Sequence, residues 1–413
     1  MNAAVEEILP SGEILGCRDC GVMQTLPPMR GRDLFLCVTC DSELERRTGR
    51  RMDVALAFSA TTLLLLLPAN LLPFLTTAVL GATRQSYLFS SATWMWRLDW
   101  PLLATIVALV IIILPLVRFS LLTLVLASLR LGYRPSWLGR VFRLTDTLKI
   151  WAMPDVFLLS LWVAYARLSA TVATHLEIGA YCMIGAGITT LLTRATLDQT
   201  MVWRAIGQDD FVPRTHDVIA CPACELIVDR REEGHPCPRC GTGLSERRSG
   251  SLAIAVALTL AGILLYVPAN LYPMATIPIG LTPTSYTVLG GVIDLVNAHL
   301  IGLALLVFTA SFAIPFIKLV GIGWCIASVL GRSTRLLRTK TRVYRVVEEI
   351  GRWSMVDPLV IACFVPVTQF SAQISSRADT AAPFFTCVVV LTMLAARMFD
   401  PRLMWDAKRI KTA

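Results

Sequence analysis

The sequence predicts an all-α polytopic membrane protein built by tandem duplication, with two bundles of about four transmembrane helices, each preceded by a small cysteine module. Three observations carry this reading: the composition, the long apolar stretches, and motifs that recur about 200 residues apart. Of the 413 residues 55% are hydrophobic and only 16% are charged, against roughly 25% charged in soluble domains. A mean hydropathy of +0.63 agrees. Such a chain lacks the polar surface to face water all round. The formal charge of +9 is read as topology rather than nucleic-acid binding, because basic residues of membrane proteins gather in the loops on one side. The first 16 residues hold no apolar stretch of the kind a cleavable signal peptide requires.

The duplication rests on paired motifs. Cys17, Cys20, Cys37 and Cys40 recur as Cys221, Cys224, Cys237 and Cys240, and the turn from Pro68 to Pro73 recurs from Pro268 to Pro273. Leu114-Pro115-Leu116-Val117-Arg118 matches Ile314-Pro315-Phe316-Ile317-Lys318. Trp151 to Asp155 matches Trp353 to Asp357, and Asp198 and Trp203 match Asp400 and Trp405. The offset stays between 200 and 204 residues throughout. The expected organisation is a first module at 1–51, a first membrane domain at 52–204, a second module at 205–250, and a second membrane domain with a basic tail at 251–413.

A bilayer core needs about 20 mostly apolar helical residues. The candidates are 52–75, 100–127, 151–170 and 178–197 in the first half, and 251–272, 300–329, 353–371 and 382–400 in the second. Pro68, Pro115, Pro268 and Pro315 interrupt four of them, which membranes tolerate when neighbouring helices satisfy the freed carbonyls. Segments 129–149 and 331–352 are rich in arginine, whereas 273–299 has no Lys or Arg and 372–381 only Arg377. The positive-inside rule then puts both termini and both cysteine modules in the cytoplasm. That is the reducing side, where paired thiols bind metal rather than form disulfides.

The cysteine spacings are C-x2-C-x16-C-x2-C and C-x2-C-x12-C-x2-C. Each C-x2-C turn offers two thiolates to one edge of an ion, and a hairpin brings in the second pair to close a tetrahedron. Four protein ligands leave no open position, so the reading is two structural zinc ribbons; a redox pair or an iron–sulfur cluster is the alternative. His235, close to Cys237, is a bystander beside four thiolates. The ribbons lack interleaved aromatics, so docking is favoured over nucleic-acid binding. Cys182, Cys325, Cys363 and Cys387 fall inside spans and are assigned to packing.

Intramembrane charges suggest function by default. Asp155 and Asp357 each sit about 8 Å into the third helix of their repeat, at 1.5 Å per residue. Arg118 is expected to pair with Asp155 as a structural ion pair, and Lys318 with Asp357. Arginine stays protonated, whereas a buried lysine can release its proton. Ser311 and Ser354 share helix faces with Lys318 and Asp357, and Thr392 lies midway along the last span. These five residues form a candidate polar relay, against the plainer reading of a static polar core. Asn70 and Asn270, between prolines, are read as caps or kinks of the first helix of each repeat. Trp94, Trp96 and Trp100 read as an interfacial belt, and His175 and His299 as structural or solvated. Nothing resembles a nucleotide loop, a nucleophile elbow or an open metal site, so no enzymatic activity is expected.

The paired ribbons, the Pro-Ala-Asn turns, Trp353-Ser354-Met355-Val356-Asp357 and the run from Met398 to Trp405 resemble the paraquat-inducible protein A family over nearly the whole chain. The resemblance implies a bacterial inner-membrane partner of periplasmic MCE-domain proteins, loading or unloading phospholipid at the base of their tunnel. It implies zinc on all eight ribbon cysteines and a polar cluster at Ser311, Lys318, Ser354, Asp357 and Thr392. The first half departs from that pattern, with Arg118 where the second has Lys318. A scaffold that only anchors the partner and a thiol-based stress protein are the competing functions.

Overall fold

The computed structural model describes residues 14–25, 34–46, 52–79, 82–98, 100–169, 173–207, 217–279, 282–367, 377–378 and 381–406. The chain begins with two short antiparallel hairpins, β1 (Ile14–Gly16) with β2 (Met23–Thr25) and β3 (Leu34–Leu36) with β4 (Glu43–Arg46). The first repeat follows as α1 (Met52–Leu71), β5 (Leu75–Val79), β6 (Ala82–Ser86), α2 (Leu88–Arg97), α3 (Pro101–Ala108), α4 (Leu114–Arg130), α5 (Leu138–Leu148), α6 (Pro154–Ser169), β7 (Ala173–Leu176), α7 (Ile178–Thr196) and α8 (Gln199–Ile206). A second cysteine hairpin, β8 (Val218–Ala220) with β9 (Ile227–Asp229), precedes the second repeat. That repeat runs α9 (Ser251–Leu271), β10 (Ala275–Ile279), β11 (Thr282–Tyr286), α10 (Val288–Asn297), α11 (Ile301–Phe308), α12 (Ile314–Leu330), α13 (Leu337–Ile350), α14 (Val356–Val367), β12 (Arg377–Ala378) and α15 (Ala381–Met398).

The proline positions explain the helix geometry. Pro101 occupies a first-turn position of α3, where a missing N–H costs nothing, whereas Pro115, at the start of α4, lies inside a continuous helical rod. Leu109–Ile113 between them is a π-helical turn, and Thr309–Ala313 repeats it between α11 and α12. The wider turn takes up the hydrogen bonds that Pro115 and Pro315 cannot donate. The chain therefore runs as continuous 30-residue helices, Pro101–Arg130 and Ile301–Leu330. In α1 and α9, Pro68 and Pro268 lie inside the helix. Asn70 Nδ2 donates to Leu66 O at 2.7 Å and Asn270 Nδ2 to Tyr266 O at 2.8 Å, which stitches the last turn beyond each proline.

Among the described residues six helices are long and apolar enough to cross a membrane: α1, the α3–α4 rod, α7, α9, the α11–α12 rod and α15. The expected spans 151–170 and 353–371 are shorter. The first is α6, 16 residues long; the second is a 3₁₀ turn, Gly351–Met355, followed by the 12 residues of α14, with 368–371 outside the described residues. Strand pairing ties the ends of both to the first helix of their repeat. β5, at the far end of α1, pairs with β6 on one side and with β7, which follows α6, on the other. β10 pairs with β11 and β12 in the same way. The far ends of the first and third helices of a repeat thus share one three-stranded sheet. The chain is a multi-pass membrane protein, with a sheet face and a ribbon face.

The two repeats meet along α6 and α14. Phe157, Leu161, Val356, Leu359 and Phe385 belong to one buried apolar cluster that runs through this seam. Ser160 Oγ donates across it to Val356 O at 3.1 Å, and Ala164 and Ala362 are fully buried. Small residues permit such close approach, the usual basis of helix association in lipid.

Each cysteine hairpin docks on the bundle that does not follow it. Phe142 and Trp203 of the first repeat pack in one buried cluster with Cys221, Cys224, Cys237 and Cys240. Tyr344, Phe399 and Trp405 of the second repeat pack with Cys17, Cys20, Cys37 and Cys40. Contact is closest at Gly139, where an added Cβ would lie 1.9 Å from Arg239 O. The backbone oxygen has no rotamer with which to retreat. Gly139→Ala is therefore expected to lift the second hairpin off α5, at a cost of about 1–3 kcal/mol, measured as faster amide exchange in residues 218–244.

Candidate metal centres and membrane polar cluster

Four knuckles build the two cysteine sites by one local rule. In each, the residue after the second cysteine adopts a left-handed conformation: Gly21 at φ 71°, Asp41 at 58°, Glu225 at 61° and Gly241 at 69°. Its N–H donates back to the first cysteine's carbonyl, as from Gly21 to Cys17 at 2.9 Å and from Gly241 to Cys237 at 2.8 Å. Glycine takes this φ freely; Asp41 and Glu225 take it at a cost of roughly 1–2 kcal/mol.

Cys17 and Cys40 Sγ are 3.5 Å apart, Cys20 and Cys37 3.6 Å. Cys221 and Cys240, and Cys224 and Cys237, are each 3.6 Å apart. Within each set all four sulfurs lie within 4.8 Å of one another and all four residues are buried. Bonds of about 2.3 Å to a tetrahedral ion require sulfur–sulfur edges of about 3.8 Å, so both sets fit a metal ion. Four crowded thiols cannot all ionise unaided. Hydrogen bonding to Cys20 and Cys40 holds the Cys17 thiol well down, while hydrogen bonding to Cys17 and Cys40, with burial, pushes Cys20 well up. A central dication removes this conflict. Ser42 Oγ lies 3.0 Å from Cys17 Sγ and 2.8 Å from Cys40 Sγ, and Gln24 Nε2 donates to Cys37 Sγ at 3.0 Å. His235 is exposed and belongs to neither set.

The arginines read as topology markers also hold the hairpins. Arg338 donates to Thr39 O and Val38 O, Arg342 pairs with Asp41 at 3.0 Å, and Arg345 donates to Cys40 O at 3.0 Å. On the other side Arg143 donates to Thr242 Oγ1 at 2.8 Å, and the Arg239 guanidinium lies over the Trp203 ring. The hairpins also touch each other through the Arg18–Glu225 ion pair.

The expected Arg118–Asp155 pair is replaced by another. The Asp155 carboxylate meets Arg194 at 2.6 Å and Arg352, from the second repeat, at 3.7 Å. Arg118 is buried, its guanidinium lies 4.9 Å from the Phe119 ring centroid, and its Nε has no hydrogen-bond partner. The reason is reach: Arg194 sits in the last turn of α7 and Arg352 in the turn before α14, both level with the N-terminus of α6. Sequence reasoning assigned Arg352 to topology and passed over Arg194; an arginine in the last turn of a span was the available signal. Asp155→Ala would leave the largely buried Arg194 guanidinium without its carboxylate and Arg352 with Glu349 alone. A loss of about 3–5 kcal/mol is expected, read as a lower Tm of the purified protein.

In the second repeat Lys318 is 0% exposed. Its Nζ donates to Ser354 Oγ at 3.1 Å and lies 3.5 Å from Gly351 O, and Ser354 Oγ donates to Gly351 O at 2.7 Å. The 3₁₀ turn aims these acceptors at the lysine. Ser311 Oγ, in the π-helical turn, is buried and has no partner among the described residues. Thr392 is buried and donates to Val389 O at 3.0 Å. Asp357 lies in the first turn of α14, with its side chain outside the described residues. The structure thus brings Lys318 and Ser354 into contact, and places Ser311 seven residues before Lys318 along one rod.

Comparison with known proteins follows from this architecture. The family model described as paraquat-inducible protein A matches residues 52–207 and again 252–409, one match per repeat. The intermembrane transport protein PqiA of Escherichia coli K12 is 28% identical over 406 residues, covering 94% of this chain and 95% of the relative. The lipophilic envelope-spanning tunnel protein A of the same strain is 29% identical, covering 98% and 94%. A probable intermembrane transport protein of Haemophilus influenzae is 25% identical, covering 96% of each. No solved structure gives a significant match. With both repeats matched in register, the chain belongs to the paraquat-inducible protein A family.

Proposed function

We propose that this protein is the inner-membrane component of an intermembrane lipid transport system. It loads or unloads phospholipid at a tunnel formed by a periplasmic MCE-domain partner, and the second repeat couples that step to proton movement. Full-length relatives named for intermembrane transport and for an envelope-spanning tunnel support the class of function. The observation that carries the mechanism is Lys318, wholly buried in a membrane rod with a hydroxyl and a carbonyl as its acceptors. An ammonium in lipid surroundings is costly and gives up its proton more readily than a guanidinium. Ser354 then serves as the adjacent donor and acceptor, with Ser311, Thr392 and Asp357 completing the relay. The first repeat carries Arg118 at the equivalent place and acts as the fixed half, clamped to the second by Asp155.

Both cysteine sets are assigned to structural zinc, whose preference for four thiolates in a closed tetrahedron suits them. The ribbon face is assigned to the cytoplasm, where thiols stay reduced and where α5 and α13 present their arginines. Photocrosslinking tests the reading. A phospholipid carrying a photoreactive acyl chain is expected to label α12 and α14 in membranes, more strongly when the partner is co-expressed. A protein that only anchors its partner would show no labelling above that of a control inner-membrane protein.

A further inference from the structure

Between the two cysteine hairpins and the ends of both bundles lies a cavity of about 710 Å³, within the range of small-molecule sites. Its walls come from four parts of the chain: Arg18 from the first hairpin, Ala223 from the second, Lys149 and Arg194 from the first repeat, Arg352 and Arg397 from the second. Nine lining residues are Lys or Arg, and six are Asp or Glu.

The carboxylates are largely committed elsewhere. Glu246 pairs with Arg230, which lies outside the cavity, and Asp19 with Arg345. Glu349 pairs with Arg352, and Asp146 accepts from Gln199 Nε2 at 2.8 Å. Asp400 accepts from the backbone N–H of Arg402 at 3.1 Å. Burial pushes the Glu348 carboxyl up, towards its neutral form.

The cations are left short of partners. Among the described residues the Lys149 ammonium and the Arg397 guanidinium have no hydrogen bond and no ion pair within 4.0 Å. Arg248 donates to the Arg397 carbonyl at 3.1 Å and Arg402 to the Arg18 carbonyl at 3.0 Å, neutral acceptors both. Burial pushes the Lys149 ammonium down from its ordinary value, so its charge is held where water pays little of the solvation. A polyvalent anion with several acceptor oxygens answers all of these groups at once.

We propose that this cavity binds a phosphate group, carried by an anionic phospholipid headgroup or by a free phosphate ion, with Lys149, Arg397 and Arg248 as its contacts. The arginine forks match a phosphate's oxygens, and the lysine adds a point charge. A bound phosphate joins the first repeat, through Lys149, to the second, through Arg397, and to the segment that links the second hairpin to α9, through Arg248. The inference stands apart from the transport reading, since it concerns the ribbon face and not the Lys318 rod.

The test uses full-length protein and the K149Q/R397Q double variant, with metal content confirming that both hairpins remain folded. Should the double variant fail to fold, K149Q alone carries the comparison, because its ammonium holds nothing else in place. Two probes separate the sources: inorganic phosphate titrated by calorimetry at constant ionic strength, and phosphatidylglycerol retained from nanodiscs, counted by native mass spectrometry. Saturable phosphate binding, weakened about tenfold in the variant, identifies the free ion. Retained phosphatidylglycerol that is lost in the variant, without phosphate saturation, identifies the headgroup. Binding of neither probe, or equal binding by wild type and variant, overturns the proposal.

Discussion

A chain carrying Cys40→Ser is expected to hold one metal ion instead of two and to release its N-terminal hairpin from the second repeat. The hairpin has almost no core of its own: Leu15, Ser42 and the four cysteines are its buried residues near the site. The strands around them are three or four residues long, too short to persist alone. A metal ion held there would therefore supply most of its folding free energy, about 10–16 kcal/mol for structural zinc near neutral pH. Loss of the ion also removes the ordered carbonyls of Val38, Thr39 and Cys40 that Arg338 and Arg345 grip. Zinc per chain by elemental analysis, together with amide exchange in α13, checks both halves of the expectation. Full metal content would show that three thiolates suffice to hold the ion, and α13 protected as in wild type despite its loss would show that the hairpin stands without it.

The second large effect belongs to Lys318→Met. Methionine fills nearly the same volume and removes a desolvated charge, so stability is expected to hold or to rise. Phospholipid transfer is expected to fall at least about tenfold, because the relay loses the ammonium at its centre. Arg118→Met, made at the equivalent position, is expected to leave transfer within about twofold, since guanidinium does not release its proton. Reconstituted vesicles with a fluorescent phospholipid report transfer, and thermal unfolding reports stability separately. Transfer that survives Lys318→Met at wild-type rate would end the relay.

Legibility in the sequence tracked the range of the interaction. Apolar runs marked the rods because twenty such residues answer to lipid wherever they sit. The C-x2-C pairs marked the metal sites because a knuckle is a local object. α6 and α14 were harder, since the strands β7 and β12 that follow them pair with partners far away in sequence. The three-stranded sheets lay in segments read simply as outer loops. The π-helical turns were visible only as prolines, because a lost N–H does not say where the ladder will widen.

By itself, then, the chain's order of residues determined a duplicated membrane protein with two four-thiol sites and one intramembrane lysine, Lys318, at the position where the other repeat carries Arg118. Periodicity, spacing and the cost of charge in lipid are properties of short segments, so they survive without coordinates. Tertiary structure alone decided which partners meet. It crossed the hairpins onto opposite bundles, gave Asp155 to Arg194 and Arg352 instead of Arg118, and aimed Ser354 at Lys318. Those choices depend on how helices pack across the seam, where a few ångströms of depth select among several arginines of equal charge.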